Sequence, residues 1–432
     1  MSDSAEIAST APAGDALNAA QWRPLVLAVL LLALFLRLIA AVALDHHVSQ
    51  AGRSFFIEGD ANGYWDLGLA VARGEDYAVH TPPRRVLRVP GFPLLLAGSI
   101  RVFGENIFAA RCVLAVVGAA CCWFTYLLGS RLVMRRVGFW AALMMAVHPW
   151  QVGNSVLILS ENWFTFWMLL SLLGFVTLLN DPRGSRGESL RPDGRLALRA
   201  GGTGLLLAAA VLVRPGFIPW LIVAAGAVLL NRRLTRMART AAAGGLVIGF
   251  VLGMLPWGVR NYAVTGHPVL TSLWSGPSLY DGLNPEADGS SKMEFFERDN
   301  VMAEMSEYNM NAHYQRLAGQ YAANHPRRVI ELAGLKLMRF LQPLPNSISG
   351  GWDIWAVCVA GAAAFVGLSV IGLKSRMLDS SGLLVVLGPF LLFLVVHMVF
   401  VGSLRYRLPA EFPLSVLVAT GLQQWLPGRQ QA

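Results

Sequence analysis

About ten apolar runs of membrane-spanning length dominate this chain, and nothing else in it restricts the fold as strongly. The bilayer core has no water to solvate peptide groups. A crossing segment must therefore satisfy its own N–H and C=O groups, and runs of ~20 apolar residues do so as helices. The runs predict spans at 24–44, 107–132, 137–155, 161–180, 198–214, 216–231, 240–257, 352–373, 382–401 and 408–426. Only 14% of the residues are charged and 55% are hydrophobic, whereas a soluble domain is about 25% charged. The expected fold class is an all-α polytopic membrane protein with about ten transmembrane helices and juxtamembrane helices in its long loops.

The formal net charge of +9 does not point to nucleic acid, because the arginines are scattered through short loops. Arg131, Arg135 and Arg136 follow the second run, and Arg183, Arg186, Arg191, Arg195 and Arg199 follow the fourth. Arg232, Arg233, Arg236 and Arg239 follow the sixth, and Lys374 and Arg376 the eighth. An even number of spans puts all of these on one side, and the positive-inside rule makes that side cytoplasmic. Both termini are then cytoplasmic, and the long loops 45–106 and 258–351 face outward from a plasma (inner) membrane. Residues 1–22 read as a disordered tail, the run from Leu25 to Leu44 as a retained signal anchor, and 23–432 as one membrane domain. Cys112, Cys121, Cys122 and Cys358 sit in apolar segments and read as small hydrophobes.

The first long loop holds Gly59-Asp60-Ala61-Asn62-Gly63-Tyr64-Trp65 and then Arg88-Val89-Pro90-Gly91-Phe92-Pro93. Helical spacing of Tyr64, Leu67 and Val71 predicts one helix that ends at Gly74, and the prolines open a second, Leu94 to Phe103. In the second long loop, 292–324 is polar and helical in tendency, and 328–341 has the pattern of an interfacial helix. There is no convincing internal repeat.

Asp60 is a favoured residue type for a helix N-cap, and a carboxylate just outside a span can also take a proton from a hydroxyl or help hold a metal. Tyr64, four residues on, shares its helix face. Glu161 opens the fourth span, where an acid meets the helix dipole favourably. It would also face the same compartment as Asp60. Arg88, Arg214, Arg260, Arg405 and Arg407 fall at outer ends of spans, more than headgroup anchoring needs, and arginine forks suit phosphate. Arg37, inside the first span, reads as snorkelling or paired within the bundle. The histidines, His397 among them, show no tight spacing beyond His46-His47, and no zincin, Walker or dinucleotide-binding motif occurs.

Taken in order, Gly59-Asp60 with Tyr64, Arg88 to Ala97, Phe103-Gly104, Ala109-Ala110-Arg111, Ser160-Glu161, Val213-Arg214-Pro215, Pro256 to Tyr262 and Arg405-Tyr406-Arg407-Leu408-Pro409 resemble a GT-C-type glycosyltransferase. The nearest part of that superfamily is the protein-O-mannosyltransferase and lipid A aminoarabinose transferase branch. The resemblance implies inverting transfer of a sugar from a polyprenyl-phosphate carrier to a glycan, lipid or protein hydroxyl at the outer membrane face. It places the essential acid at Asp60, with Glu161 as a second candidate. The Asp-Glu pair of many relatives is absent, since Ala61 follows Asp60. Arg214, Arg260, Arg405 and Arg407 are the expected donor-phosphate ligands. Tyr64, Arg88, Asn261, Tyr262 and Tyr406 are expected around the substrate cavity, and 286–330 is expected to shape the acceptor site. Some relatives use a divalent metal and others do not, so the metal stays open. The alternatives are a transporter or flippase of a lipid-linked saccharide, built on the same arginines, or a polysaccharide polymerase or ligase. A transporter commonly shows inverted repeats and broken helices at the membrane midplane, neither of which is seen here.

Overall fold

The computed structural model describes residues 19–180, 194–344 and 352–425. Residues 1–18 of the expected tail, part of the arginine-rich loop (Arg183, Arg186, Arg191) and the end of the second long loop lie outside them, whereas residues 19–22, expected in the tail, are helical. Within the described residues all regular structure is helical. The first half comprises α1 (Ala19–Gln50), α2 (Glu58–Arg73), α3 (Gly91–Phe103), α4 (Ile107–Leu132), α5 (Arg135–Val147), α6 (Pro149–Asn154), α7 (Ser160–Leu179), α8 (Gly194–Val211) and α9 (Pro219–Leu230). The second comprises α10 (Arg236–Thr265), α11 (Ser275–Gly282), α12 (Phe295–Asp299), α13 (Val301–Glu304), α14 (Glu307–Asn324), α15 (Pro326–Leu341), α16 (Trp352–Lys374), α17 (Ser380–Val399) and α18 (Leu404–Trp425).

Every apolar run read from the sequence is helical, and the protein is a multi-pass membrane protein. Six of the described helices are long and apolar enough to cross a bilayer: α1, α4, α7, α10, α16 and α17. The remaining runs depart from simple spans for local reasons. A three-residue 3₁₀ turn, Pro215–Phe217, precedes the short α9. The charged residues Arg405, Arg407 and Glu411 sit in the first third of α18. The run expected at 137–155 is broken between α5 and α6, where Pro149 has no N–H to give the carbonyl four residues back. That carbonyl, on Met145, accepts instead from Arg37 Nη2 at 3.2 Å, and Arg37 Nη1 serves Ala146 and Ala33. Arg37 is fully buried, so the arginine inside the first span satisfies backbone that the break left open.

The α8–α10 pair shows how closely the bundle packs. A Cβ added at Gly249 would lie 2.0 Å from the Gly201 carbonyl oxygen, one at Gly204 2.1 Å from that of Leu246, and one at Gly245 2.5 Å from that of Ala197. Lipid is as apolar as leucine, so membrane helices gain affinity mainly by such close backbone approach at small residues. At the centre, α18 packs against α4, α5, α7, α15, α16 and α17. It is buried almost continuously from Leu408 to Gly421. Helices α2 and α3 from the first long loop pair with each other, as do α11 and α14 from the second.

The glycine contacts predict that Gly249→Leu forces α8 and α10 apart. Because backbone blocks the new side chain, the cost should reach about 3 kcal/mol, the upper end of ordinary overpacking. Thermal unfolding in detergent measures it, and an unchanged midpoint would mean that the two helices do not cross this closely.

Candidate active site

Five charged side chains from five segments form one chain of ion pairs. Asp60 Oδ2 accepts from Arg405 Nη2 at 2.7 Å, and Asp60 Oδ1 from Arg88 Nη2 at 3.2 Å. Glu161 Oε1 binds Arg405 Nε, and it lies 2.8 Å from Arg214 Nη1. Asp60 is the third residue of α2, whose N-cap is Ile57. The capping reading of Asp60 is therefore corrected: its carboxylate is spent on guanidiniums, not on the helix end. Burial alone would raise the Asp60 carboxyl, but Arg405 and Arg88 together hold it well below the usual carboxylate range. Glu161 is wholly buried, and its Oε2 has no hydrogen-bond partner among the described residues. The buried Arg88 Nε likewise donates to nothing there.

Local sequence explains how Arg88 reaches Asp60. A Cβ at Gly63 would come within 3.2 Å of Arg88 Nε, so a larger residue would crowd the guanidinium, which lies 4.3 Å from the centre of the Tyr64 ring. Gly91, in the Pro-Gly-Phe-Pro stretch, donates its N–H to the Leu212 carbonyl at 2.8 Å, where a side chain would collide with that backbone. Its own carbonyl accepts from Trp163 Nε1 at 2.9 Å. The Tyr77 hydroxyl donates to the Arg88 and Val89 carbonyls, both at 3.2 Å. The second long loop holds the same segment from the other side. The Arg85 and Val86 N–H groups donate to the Glu307 carboxylate at 2.9 Å, and the Val86 carbonyl accepts from Leu273 N–H at 2.8 Å.

The ion chain borders a cavity of about 290 Å³ with three kinds of wall. Asp60, Arg88, Arg214 and Arg405 make the ionic wall, with Tyr64 and Tyr406 beside them. Phe164, Val213 and Pro215 share an apolar wall with Phe393 and Val396 of α17 and Phe400 just beyond its end. Thr271, Ser272, Trp274, Ser275 and Ser278 make a hydroxyl-rich wall. A larger groove of about 580 Å³ between α1 and α4 is mostly apolar, lined by aliphatic residues with Trp123 and Tyr126, and Arg23 is the charged residue among the described lining.

Of the expected site residues, Asp60, Tyr64, Arg88, Arg214, Arg405 and Tyr406 line this cavity, and Glu161 sits behind it. The others are placed elsewhere. Arg407 is two residues from Arg405 on one helix, and such residues point to nearly opposite faces. It binds Glu411 at 2.7 Å and the Phe340 carbonyl at 2.8 Å. Arg260 donates to the Arg85 and Tyr77 carbonyls and so braces the loop. The Asn261 amide closes the turn onto the Val269 and Thr271 carbonyls, and Tyr262 is exposed. Residues 286–330 do not line the cavity; 271–278 do. The dense hydroxyls of Thr-Ser-Leu-Trp-Ser-Gly-Pro-Ser were the available signal for that wall. His397, also in the lining, stacks on Tyr406 with ring centres 4.4 Å apart.

The donor set does not suit a divalent metal. Both Asp60 oxygens and Glu161 Oε1 already face guanidiniums that would repel a dication. No group of three His, Cys, Asp or Glu side chains comes together among the described residues.

Residues 92–268, less than half of the chain, match the family described as dolichyl-phosphate-mannose-protein mannosyltransferase. The apo oligosaccharyltransferase of Archaeoglobus fulgidus has a similar structure, with a TM-score of 0.53 and 16% identity over 92% of this chain and 50% of that one. The chain shares the helical membrane fold of that structure over most of its own length. It spans about half the length of the archaeal structure it matches. ArnT from Cupriavidus metallidurans bound to undecaprenyl phosphate is a more distant match, at TM-score 0.37 and 14% identity, covering 94% of this chain and 79% of that one. No curated protein matches the sequence. The GT-C resemblance read from the sequence holds.

The bracing of Arg88 can be tested without any substrate. Removing the Glu307 carboxylate leaves two backbone N–H groups unpaired, at about 1–3 kcal/mol each. Glu307→Ala should speed tryptic cleavage after Arg84 and Arg85 by about tenfold or more. Unchanged cleavage would show that the two long loops do not hold each other.

Proposed function

We propose that the chain is a glycosyltransferase that moves a sugar from a polyprenyl-phosphate carrier to an acceptor hydroxyl, with inversion, at the outer face of the membrane. The observation that carries this reading is the ion chain Arg88–Asp60–Arg405–Glu161–Arg214 between an apolar wall and a hydroxyl-rich one. A lipid-linked sugar has the same three parts: an apolar chain, a phosphate and a polyol. The match to a dolichyl-phosphate-mannose-dependent family supports the same donor class.

In this reading the prenyl chain enters along the α17 wall, and Arg214 and Arg405 bind the phosphate. The acceptor oxygen attacks the anomeric carbon and the carbon–oxygen bond to phosphate breaks. The carrier leaves as a phosphate monoester bearing one more negative charge, which the guanidiniums stabilise as a preorganised clamp. Asp60 orients the attacking hydroxyl. It receives the proton late, as the forming bond acidifies that hydroxyl, because a carboxylate held below the usual range is a weak base. Glu161 touches no substrate here. It is a positioning residue that keeps Arg214 and Arg405 together. Arg88 supports Asp60, while Arg260, Arg407 and Asn261 act through the scaffold. The flippase alternative lacks a reason for the acid in the ionic wall, and a polymerase or ligase would differ in carrying a lipid-linked oligosaccharide.

Purified protein, given a polyprenyl-phosphate sugar, should hydrolyse or transfer it. Asp60→Asn should cut turnover by about 10²-fold or more, the low end for losing a group acting in proton transfer; unimpaired transfer would remove Asp60 from the chemistry. Glu161→Gln should instead weaken donor binding about tenfold and lower turnover less. A depressed carboxyl is fully ionised above its ordinary value and protonates only as the pH falls well below that value. Asp60 should therefore cause no break in the rate–pH profile above about pH 4. A break near pH 6 that disappears in Asp60→Asn would contradict its placement between two arginines.

A further inference from the structure

The hydroxyl-rich wall lies at 271–278, just beyond the stretch 92–268 that matches the mannosyltransferase family, so the match assigns it no role. Its side chains are of two kinds. The Ser275 hydroxyl is engaged with Asn311 at 3.3 Å and Gln315 at 3.0 Å. Thr271, Ser272 and Ser278 line the cavity with no side-chain hydrogen bond among the described residues. Each hydroxyl can donate once and accept twice, so this wall can pair with a polyol in either sense. Trp274 stands among them, held by stacking on Phe296 with ring centres 5.3 Å apart. It adds a rigid apolar edge with few rotamers to freeze.

The charges around the cavity sharpen what such a polyol can be. Arg88, Arg214 and Arg405 set against Asp60 and Glu161 leave one net positive charge, which a single phosphodiester matches. Asp60 is the one carboxylate in the lining, and each of its oxygens already faces a guanidinium. An ammonium on the sugar would thus enter a cleft that has no free carboxylate to meet it and three guanidiniums nearby. Its desolvation would then go uncompensated, since a buried charge is tolerated only when it is paired.

Building on the glycosyltransferase reading, we infer that Thr271, Ser272 and Ser278 form the subsite for the transferred sugar, and that this sugar is an uncharged, hydroxyl-only one and not an amino sugar. The free hydroxyls read the sugar's own hydroxyls, the net positive charge admits the phosphate, and the lining keeps no uncommitted carboxylate to pair with an ammonium.

Three ligands decide it, each titrated against the full-length protein in lipid nanodiscs: a polyprenyl phosphate, a polyprenyl-phosphate hexose, and the same hexose donor with one hydroxyl replaced by an amine. The hexose donor should bind at least about tenfold tighter than its aminated counterpart. The double variant Thr271→Val/Ser278→Ala should weaken hexose-donor binding by about tenfold and leave the bare polyprenyl phosphate unaffected. Equal or tighter binding of the aminated donor would overturn the inference alone. So would a double variant that loses all three ligands alike, or none, since the wall would then be structural or uninvolved. Failure of the wild-type protein to bind any polyprenyl phosphate would overturn the glycosyltransferase reading and the subsite with it.

Discussion

The ion chain through Arg405 is the constraint on which the rest of the structure depends. Arg405 turns Nη2 to Asp60 and Nε to Glu161, and so joins a helix of the first long loop to two helices at the centre of the bundle. A planar guanidinium does this with donors fixed in one fork, whereas a lysine would offer a compact charge with rotatable donors on a flexible stem. Charges held away from water are costly unless matched, and removing one partner of such a pair strands the other. Five segments far apart in sequence are therefore tied to one arrangement: α2, the Arg88 strap, the start of α7, the turn after α8 and the start of α18.

The two long loops serve that arrangement. Helix α2 alone could not hold Arg88 against Asp60. Glu307, Leu273, Tyr77 and Arg260 fix the backbone on either side of it, and Gly63 and Gly91 leave the space it needs. The arginines outside the cavity are part of the same economy. Arg37 satisfies carbonyls orphaned by Pro149, and Arg407 satisfies those at the end of α15. Both are solutions to the rule that backbone polar groups within a membrane need partners.

Much of the fold was legible in the sequence because the bilayer imposes a length and a composition on each span. The runs at 107–132 and 352–373 coincide with α4 and α16 to within a residue. The break inside the run at 137–155 was not foreseen, although Pro149 marked it. Of the site, Asp60, Tyr64, Arg88, Arg214, Arg405 and Tyr406 were legible as residue types placed near the ends of spans. Arg260 and Arg407 were grouped with them on the same ground and proved to brace the scaffold. Position along the chain sets the depth of a side chain in the membrane but not the direction in which it points.

The sequence by itself determined the class of protein, the approximate span positions and the set of charged residues at one membrane level. Those properties follow from local composition, since each apolar run must become a helix whatever its neighbours do. Only the tertiary structure decided which charges meet. It put Glu161 behind the cavity and Asp60 in its wall, turned Arg405 inward and Arg407 away, and brought the hydroxyls of 271–278 to the site in place of residues 286–330. The reason is that helix rotation and loop packing are set by contacts between segments hundreds of residues apart. No pattern read along a single strand of sequence contains them.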